Sequence, residues 1–307
     1  HSDTHSFPTR RSSDLYFFGW TPTTPSQSSS PHLFMTDGTA TGTVRLDVHS
    51  PTDPEYGGNL TPSQTGVYFS LNDPARGTEL FCSDGTSIGT RLHTNFAPEG
   101  ATNDASHPGS FAGTDGIVFF CAMDGFAPPS SQPVHGMELW KTDGTATGTV
   151  MVKDIRPGQQ NSDVQCTHMH GKTCYFVATD GSFALWKSDG TGAGTVKVST
   201  AITKPEYFDY PINLGDRVIF GGYSSATGHE PFVLDTTTDT VSLLKDTLPG
   251  PADGEFDQPV RMGDHVFFRA YEPGGTDYHL WKTDGTNTGT VMVCTTAQFI
   301  RCEKICM

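Results

Sequence analysis

Short apolar runs that follow a glycine or a turn recur along the chain. Two clear examples are Val218-Ile219-Phe220 and Val266-Phe267-Phe268, which are rich in β-branched and aromatic residues. Runs of this length and composition are typical of buried strands and too short for helices. Comparable runs end at six phenylalanines: Phe18, Phe69, Phe120, Phe176, Phe220 and Phe268. The hydrophobic pattern therefore predicts a chain built from many short strands.

A polar motif follows each apolar run and reads Asp-Gly-Thr in its clearest copies. It is anchored by six aspartates, which lie 46 to 59 residues apart: Asp37, Asp84, Asp143, Asp189, Asp235 and Asp284. An aromatic residue stands three positions before each of them: Phe34, Phe81, Trp140, Trp186, Phe232 and Trp281. The fifth copy, at residues 235–240, is degenerate. Self-similarity at a near-regular spacing identifies an internal repeat.

The fourth copy shows how one repeat unit is organised. It contains four strand candidates, at residues 164–167, 173–178, 184–188 and 195–199. Four short antiparallel strands in each unit of about 50 residues are typical of β-propeller blades. Six copies over residues 16–294 therefore predict an all-β propeller of six four-stranded blades. The first blade lacks an obvious innermost strand, so the ring stays open unless residues 295–303 supply it.

The aspartate and the aromatic residue of each copy are predicted to be structural. Aspartate can accept backbone N–H groups, glycine can take a positive φ, and threonine hydroxyls can close the turn. The aromatic side chains, Trp140, Trp186 and Trp281 among them, are expected to be buried between blades. The alternative is that each aspartate binds calcium, but the turn offers one carboxylate where calcium takes six to eight oxygens. We therefore expect no cofactor, with calcium as the alternative.

The repeat also resembles a known family. Residues 138–149, 185–195 and 280–290 are similar to the ELWxxDGT repeat proteins of bacteria, and residues 152–158 resemble that family's continuation after the fourth strand. The resemblance covers residues 16–294. It implies a secreted or cell-surface protein, in a family whose roles are mostly undefined. The degenerate fifth copy and the insertion at 124–137 depart from the pattern and leave the number of blades open.

The two ends of the chain do not follow the repeat. Residues 7–15 resemble a translated sequencing-library adapter. Residues 1–15 are therefore predicted to be a non-native or disordered leader and are left out of the fold prediction. Residues 295–307 form a tail for which the pattern predicts nothing.

The charge of the chain excludes one class of partner. It has 34 acidic and 19 basic residues, a formal net charge of −15. An acidic surface repels phosphates and anionic lipid headgroups, so no nucleic-acid partner is expected. The sequence has no run of about 18 apolar residues, so no membrane insertion is predicted. We expect a monomer.

Candidate ligand-binding residues come from loops that differ between copies, because variable loops on a uniform scaffold usually carry function. In a propeller the loop after the fourth strand and the loop between the second and third strands share one face. Two such loops stand out: residues 124–137 are the longest connection between a second and a third strand, and residues 206–210 combine aromatic with acidic side chains. The candidates are Phe126, His135, Glu206, Tyr207, Asp209 and Tyr210. This composition suits a carbohydrate or a peptide ligand. The alternative is a solvated loop without a ligand.

Other candidate sites rest on weaker patterns. Asp253, Glu255 and Asp257 could form an oxygen-rich cation site or a merely solvated acidic loop. His168 and His170 have a spacing that some metal sites use, but the sequence names no third ligand. Seven cysteines are present, and Cys166 and Cys174 lie on predicted neighbouring strands. A disulfide between them and two buried thiols remain equally open.

The sequence carries no catalytic signature of the nucleophile-elbow, phosphate-loop, dinucleotide-binding or zinc-helix type. It therefore predicts a non-catalytic extracellular propeller module that binds a glycan, a peptide or a surface protein. One alternative is a glycoside hydrolase or lyase with its site in the funnel, because such carboxylates can come from distant blades. The other is a structural module within a larger secreted protein.

Overall fold

The computed structural model describes residues 14–20, 31–46, 58–64, 66–73, 77–94, 96, 106–114, 116–124, 135–200, 208–272 and 277–293. Throughout these residues the regular secondary structure is β-strand, and they contain no helix. This part of the chain accordingly offers no helix able to cross a bilayer.

The strands form six sheets, one for each repeat copy. The first sheet contains β1 (Leu15–Trp20), β2 (Pro31–Thr36) and β3 (Val44–Leu46). The second contains β4 (Gly58–Ser63), β5 (Gly66–Asp73), β6 (Gly77–Ser83) and β7 (Arg91–Thr94). The third contains β8 (Gly109–Thr114), β9 (Ile117–Ala122), β10 (Glu138–Thr142) and β11 (Val150–Lys153).

The later sheets follow the same plan. The fourth contains β12 (Gln165–His170), β13 (Thr173–Thr179), β14 (Phe183–Ser188) and β15 (Val196–Ser199). The fifth contains β16 (Asp209–Leu214), β17 (Arg217–Ser224), β18 (Gly228–Asp235) and β19 (Thr240–Leu243). The sixth contains β20 (Asp257–Met262), β21 (His265–Tyr271), β22 (Tyr278–Thr283) and β23 (Val291–Met292). The predicted all-β fold of antiparallel propeller blades is confirmed, with three strands described in the first blade and four in each of the others.

The chain divides into two compact units. The first comprises residues 1–172 and 190–192, and the second comprises residues 173–189 and 193–307. The first three blades and β12 therefore belong to the first unit. β13 to β15 and the last two blades belong to the second.

Apolar side chains from neighbouring blades form the core of each unit. In the first unit, Leu33 of the first blade packs with Phe69 of the second, and Leu80 of the second packs with Phe120 of the third. In the second unit, Leu244 of the fifth blade joins a cluster around Phe268 of the sixth. Burying each large apolar side chain contributes about 1.5–3 kcal/mol. The phenylalanines that the sequence places in strand interiors thus hold adjacent blades together.

The Asp-Gly-Thr turn is closed by side-chain hydrogen bonds, well seen at Asp143. Its Oδ1 accepts the N–H of Thr145 at 2.9 Å and the hydroxyl of Thr145 at 2.7 Å, and these bonds lower the pKa of Asp143. Gly148 donates its N–H to Thr145 Oγ1 at 2.9 Å. A Cβ on Gly148 would stand 1.9 Å from Asp143 Oδ1. The turn therefore needs glycine five residues after the aspartate, as five of the six copies have it.

The aromatic residues before the turns differ in burial. Trp186 and Trp281 are each 5% exposed, whereas Trp140 is half-buried. The Trp140 ring meets Phe96 edge-on at 4.9 Å between ring centroids, which places it at the boundary between the second and third blades. Of the phenylalanines, Phe81 and Phe232 are buried and Phe34 is half-buried. These rings pack in the protein, and none is an exposed platform.

A buried glutamate, which the sequence analysis missed, begins the aromatic motif in three blades. Glu79, Glu138 and Glu230 are all 0% exposed. Glu138 accepts the N–H of Ile155 at 2.8 Å, and Ile155 lies in the loop that follows the fourth strand. Each glutamate accepts bonds of this kind from the loop after the fourth strand of its blade. The glutamates therefore fix the loops that lead to the next blade.

The degenerate fifth turn has a contact of its own. Asp239 ends this turn with φ 55°, and its carboxylate pairs with Lys187 of the fourth blade. Tyr175 also donates its hydroxyl to Asp239 at 3.5 Å. The altered turn is still closed by Asp235 Oδ1, which accepts the N–H of Thr237 at 2.9 Å and its hydroxyl at 2.6 Å. Through Asp239 it also links two blades of the second unit.

The cysteine side chains that the structure describes are thiols. Cys121 and Cys174 are buried and Cys82 is half-buried. Burial raises the pKa of Cys121 to about 11, which makes this thiol unreactive at neutral pH. The side chain of Cys166 lies outside the described residues.

Candidate ligand-binding site

Three structural positions at one end of each blade define the candidate site. The first position is the first residue of the innermost strand, and the second position is the residue paired with it on the second strand. On the third strand, a leucine or proline pairs with the residue at the second position in most blades. The third position is the residue two places before that leucine or proline. In the fifth blade Asp209 pairs with Gly221, and His229 takes the third position. In the sixth blade Asp257 pairs with Arg269, and Tyr278 takes the third position.

The imidazole of His229 lies between two carboxylates. Its Nε2 is 3.5 Å from Asp209 Oδ2, and its Nδ1 is 3.2 Å from Glu255 Oε2. Burial alone would lower the pKa of His229, but its ion-pair contacts with Asp209 and Glu255 outweigh burial and raise the pKa to about 9. The side chain is 13% exposed. At neutral pH the side chain is an imidazolium that pairs with Asp209 and Glu255, whose carboxylates are more exposed than the imidazolium itself.

Gly221 makes room for this imidazole. A Cβ built on Gly221 would lie 2.8 Å from His229 Cε1 and 3.4 Å from Asp209 Cβ. Contacts below 3.0 Å force a neighbour to move. Glycine at this position therefore permits the Asp209–His229 pair.

Backbone bonds position the second carboxylate. Glu255 has φ 72° and donates its N–H to the carbonyl of His229 at 2.8 Å. Asp253 Oδ1 accepts the N–H of His229 at 2.8 Å. Because the loop is bonded to His229 both at Asp253 and at Glu255 itself, the carboxylate of Glu255 is presented on a fixed backbone.

The sixth blade has a related cluster. Arg269 lies 3.4 Å from Asp257 through Nη1 and Oδ2, and its guanidinium stands 4.2 Å from the centre of the Tyr278 ring. The rings of Tyr271 and Tyr278 stack with centroids 4.4 Å apart. A hydrogen bond with Tyr271, burial and the nearby charge of Glu255 raise the pKa of Tyr278. The cluster of the sixth blade therefore combines a carboxylate, the cation that pairs with it and an aromatic ring.

The same three positions are uncharged in the other blades whose positions the structure describes. The second blade has Gly58, Ser70 and Thr78; the third has Gly109, Cys121 and Met137; the fourth has Gln165, Val177 and Phe183. A blade folds without charges at these positions, so the scaffold does not require them. The charges of the fifth and sixth blades therefore need another explanation than folding.

Tyr210 adds an exposed ring beside Asp209. The residue is 56% exposed, and its φ of 48° lies in the left-handed region, which bulky residues rarely adopt. Ser110 and Gln258 occupy the same place in the third and sixth blades, each with φ 49°. The strand bulge at this position is common to the repeat, whereas the aromatic side chain is particular to the fifth blade.

The other predicted ligand-binding residues have different outcomes. Phe126, Glu206 and Tyr207 lie outside the described residues. His135 belongs to the first unit, where its Nδ1 is 2.6 Å from Asp124 Oδ2 and its Nε2 is 4.0 Å from Asp154. The hydrogen bond to Asp124 raises the pKa of His135. The site in the second unit thus contains Asp209 and Tyr210 of the predicted set.

The predicted cation site has carboxylates with separate protein partners. Asp253 accepts the backbone N–H of His229, Glu255 pairs with the His229 side chain, and Asp257 pairs with Arg269. Within the described ranges no group of three or more histidine, cysteine or acidic side chains could hold a metal ion. This holds for His168 and His170 as well.

The sequence analysis missed His229, Arg269 and Tyr278. A signal for them existed, because aligning the copies on the aromatic motif shows charged or aromatic residues where other copies have small or apolar ones. It was obscured because the loop between the second and third strands varies in length from copy to copy. Asp209 was predicted as a ligand-binding residue and Glu255 as part of a cation site. In the structure both contact His229, which was not predicted.

The comparisons with known proteins bear on the fold. No family model and no curated protein matches the chain. Among solved structures, a puromycin hydrolase is similar with a TM-score of 0.52 at 14% identity, over 92% of this chain and 46% of that one. A puromycin-hydrolyzing peptidase from Mycobacterium tuberculosis has a TM-score of 0.53 at 13% identity, over 94% and 46% of the two chains. TolB from Acinetobacter baumannii has a TM-score of 0.42 at 15% identity, over 83% and 58%.

The similarities to the puromycin hydrolase and the puromycin-hydrolyzing peptidase support the propeller fold. At such low identity they carry no activity or ligand over to this chain. The chain also spans less than half the length of the two hydrolytic proteins it matches. The chemistry of the site therefore follows from its own groups, which are carboxylate acceptors, largely buried cations and an exposed tyrosine.

Proposed function

We propose that this chain is a non-catalytic propeller module that binds an extracellular ligand at the ends of its fifth and sixth blades. The observation that carries the proposal is that, of the five blades whose three positions the structure describes, the fifth and sixth carry charge there. Asp209 with His229 and Asp257 with Arg269 occupy positions that are uncharged in the three preceding blades. Charges that the scaffold does not need, on a strand that also carries an exposed tyrosine, are typical of binding surfaces.

Location outside the cell forms part of the proposal. It is supported by the ELWxxDGT resemblance of residues 138–149, 185–195 and 280–290. The formal net charge of −15 also favours a ligand other than a nucleic acid or an anionic membrane. Protease treatment of intact source cells, followed by immunodetection, tests this part: a surface protein is cleaved and an internal one is protected.

The binding function is tested by screening the purified chain on glycan and peptide arrays. The double variant Asp209→Asn, Asp257→Asn removes both carboxylate charges with little change in size. We expect it to lose at least about tenfold in affinity for whatever the chain binds, as is usual for hot-spot residues. Ile88→Ser is the matched control, because Ile88 is exposed on an Asp-Gly-Thr turn of the first unit.

The outcomes of this screen distinguish the binding module from the hydrolase or lyase and from the structural module. Equal loss in the control and in the double variant would place binding elsewhere and contradict the proposal. Cleavage of an arrayed oligosaccharide would favour the hydrolase or lyase. Absence of any ligand on either array would favour the structural module.

A further inference from the structure

We infer that the ligand of this site is a neutral carbohydrate chain that extends over the fifth and sixth blades. The inference rests on the proposed binding function and adds the class of ligand to it. The competing ligand is a basic peptide, which an acidic and aromatic surface would also attract.

Each of these carboxylates already lies against a cation of the protein, with one imidazolium shared by two of them. Asp209 and Glu255 both lie against His229, and Asp257 lies against Arg269. A lysine or arginine from a ligand would have to compete with these resident cations for the same oxygens. A sugar hydroxyl needs no such competition, because an ionised carboxylate has about four lone-pair sites and can accept further hydrogen bonds.

The acceptors are also held in place before a ligand arrives. His229 is wedged into the space that Gly221 leaves, and Glu255 is bonded through its own N–H to the His229 carbonyl. Fixed acceptors lose little conformational entropy on binding, which matters most for ligands that bind through many hydrogen bonds. Hydroxyl groups can rotate to meet such acceptors.

Tyr210 supplies the apolar surface that the flat face of a sugar ring requires. Tyr210 is 56% exposed as a whole residue and follows directly after Asp209 in the chain. Tyrosine combines a large apolar face with a polar end at a low entropic cost. The third and sixth blades have Ser110 and Gln258 at the same bulge, so nothing in the blade itself demands an aromatic residue there.

The sixth blade repeats the arrangement and suggests a second sugar position. Asp257 is the structural equivalent of Asp209, and the strands that begin with them, β16 and β20, are neighbours in the second unit. Tyr271 and Tyr278 add stacked rings at the sixth blade. Two related sets of groups on adjacent blades suit a ligand with repeating units, as an oligosaccharide has.

The test uses the intact chain with two kinds of probe. Neutral hexasaccharides of glucose and of N-acetylglucosamine, each in several linkages, represent the carbohydrate, and a lysine- and arginine-rich nonapeptide represents the cationic ligand. Calorimetric titrations are made at about 50 mM and about 500 mM salt, since salt screens charge attraction but hardly affects neutral contacts. We expect at least one hexasaccharide to bind with the same affinity, within about twofold, at both concentrations.

Two variants locate that binding. Tyr210→Gln places at the bulge the residue that the sixth blade already accommodates, so the fold is retained, and it should weaken hexasaccharide binding about tenfold or more. Tyr210→Phe keeps the ring and should bind within about twofold of the original chain. Circular dichroism and the melting temperature confirm that both variants are folded.

Three results would overturn the inference. Salt-sensitive binding of the nonapeptide without any hexasaccharide binding would refute the carbohydrate ligand and leave the proposed binding function intact. Hexasaccharide binding that survives Tyr210→Gln would refute its location. If neither probe binds and the wider arrays are empty, the binding function itself fails.

Discussion

Glu230 accepts two hydrogen bonds from Thr247, one from the backbone N–H at 2.8 Å and one from the hydroxyl at 2.7 Å. Leu248 adds a third, from its N–H to the other carboxylate oxygen at 3.1 Å. The glutamate is buried, and the residues it binds lead from the fifth blade towards Asp253 and Glu255 of the candidate site. One buried side chain thus fixes the loop that carries part of the proposed binding surface.

Replacing this glutamate tests that relationship. In Glu230→Gln the amide NH₂ would face one of the N–H donors of Thr247 or Leu248, so a buried bond is lost and two donors oppose each other. We expect the free energy of unfolding to fall by about 1–3 kcal/mol. Urea denaturation measures the change. Glu272→Gln is the control, because that carboxylate is more than a third exposed, and a similar loss there would contradict the argument.

Burial of Glu138 and Glu230 also predicts how the free energy of unfolding depends on pH. Desolvation raises the pKa of both Glu138 and Glu230 to about 7 from 4.5. Because the folded state binds these protons more tightly than the unfolded state, their contribution to stability is largest below pH 4.5 and is lost as pH rises to about 7. Denaturation at a series of pH values should show this decline. The decline should be smaller in Glu230→Gln, and an unchanged slope would refute the assignment.

His229 predicts a second decline at higher pH. Its pKa rises from 6.5 to about 9 in the folded protein, so its ion pairs with Asp209 and Glu255 contribute fully below pH 6.5 and are lost as pH passes 9. His229→Gln keeps a side chain of similar size without the charge and should remove this part of the curve. Hydrogen-1 NMR titration of the imidazole measures the pKa directly, and a value near 6.5 would contradict the ion-pair geometry.

The sequence predicts the blades well because their signals are local. The four strands of the fourth blade lie at 165–170, 173–179, 183–188 and 196–199, within three residues of the predicted boundaries. Apolar runs and the Asp-Gly-Thr turn each act through neighbours in the chain. Their meaning can therefore be read without the tertiary fold.

The site is predicted less completely because its contacts are not local. Asp209 and Glu255 are 46 residues apart and were assigned to separate hypotheses, whereas in the structure both contact His229. His229 fits between them because Gly221, on another strand, has no side chain. No periodicity along the chain reports such a gap. The space that Gly221 leaves becomes apparent only when the strand register shows which residues of the different blades occupy the same position.

The glycine of the Asp-Gly-Thr turn gives a prediction for the scaffold. Gly148→Ala would place a Cβ 1.9 Å from Asp143 Oδ1, so the carboxylate must leave the bonds it accepts from Thr145. We expect a loss of about 1–3 kcal/mol, the range for side chains that are forced into contact by added atoms. Gly109→Ala is the control, because its Cβ would meet the nearest atom, Cys121 Sγ, at an ordinary 3.6 Å. Thermal unfolding compares the two, and equal melting temperatures would contradict the steric argument.

Two tryptophans at the same place in their blades should respond differently to the same change. Trp186 donates its indole N–H to the Ala178 carbonyl at 3.1 Å, whereas the indole N–H of Trp281 is buried without an acceptor among the described residues. Phenylalanine keeps an aromatic ring at either place but has no N–H to donate. Trp186→Phe therefore loses a hydrogen bond, and Trp281→Phe removes an unsatisfied donor. Beyond the shared loss of ring size, the first variant should be less stable than the second by about 0.5–1.5 kcal/mol. Urea denaturation of both variants under one set of conditions gives the difference, and an equal or reversed order would show that the indole N–H groups do not decide the stability of these two blades.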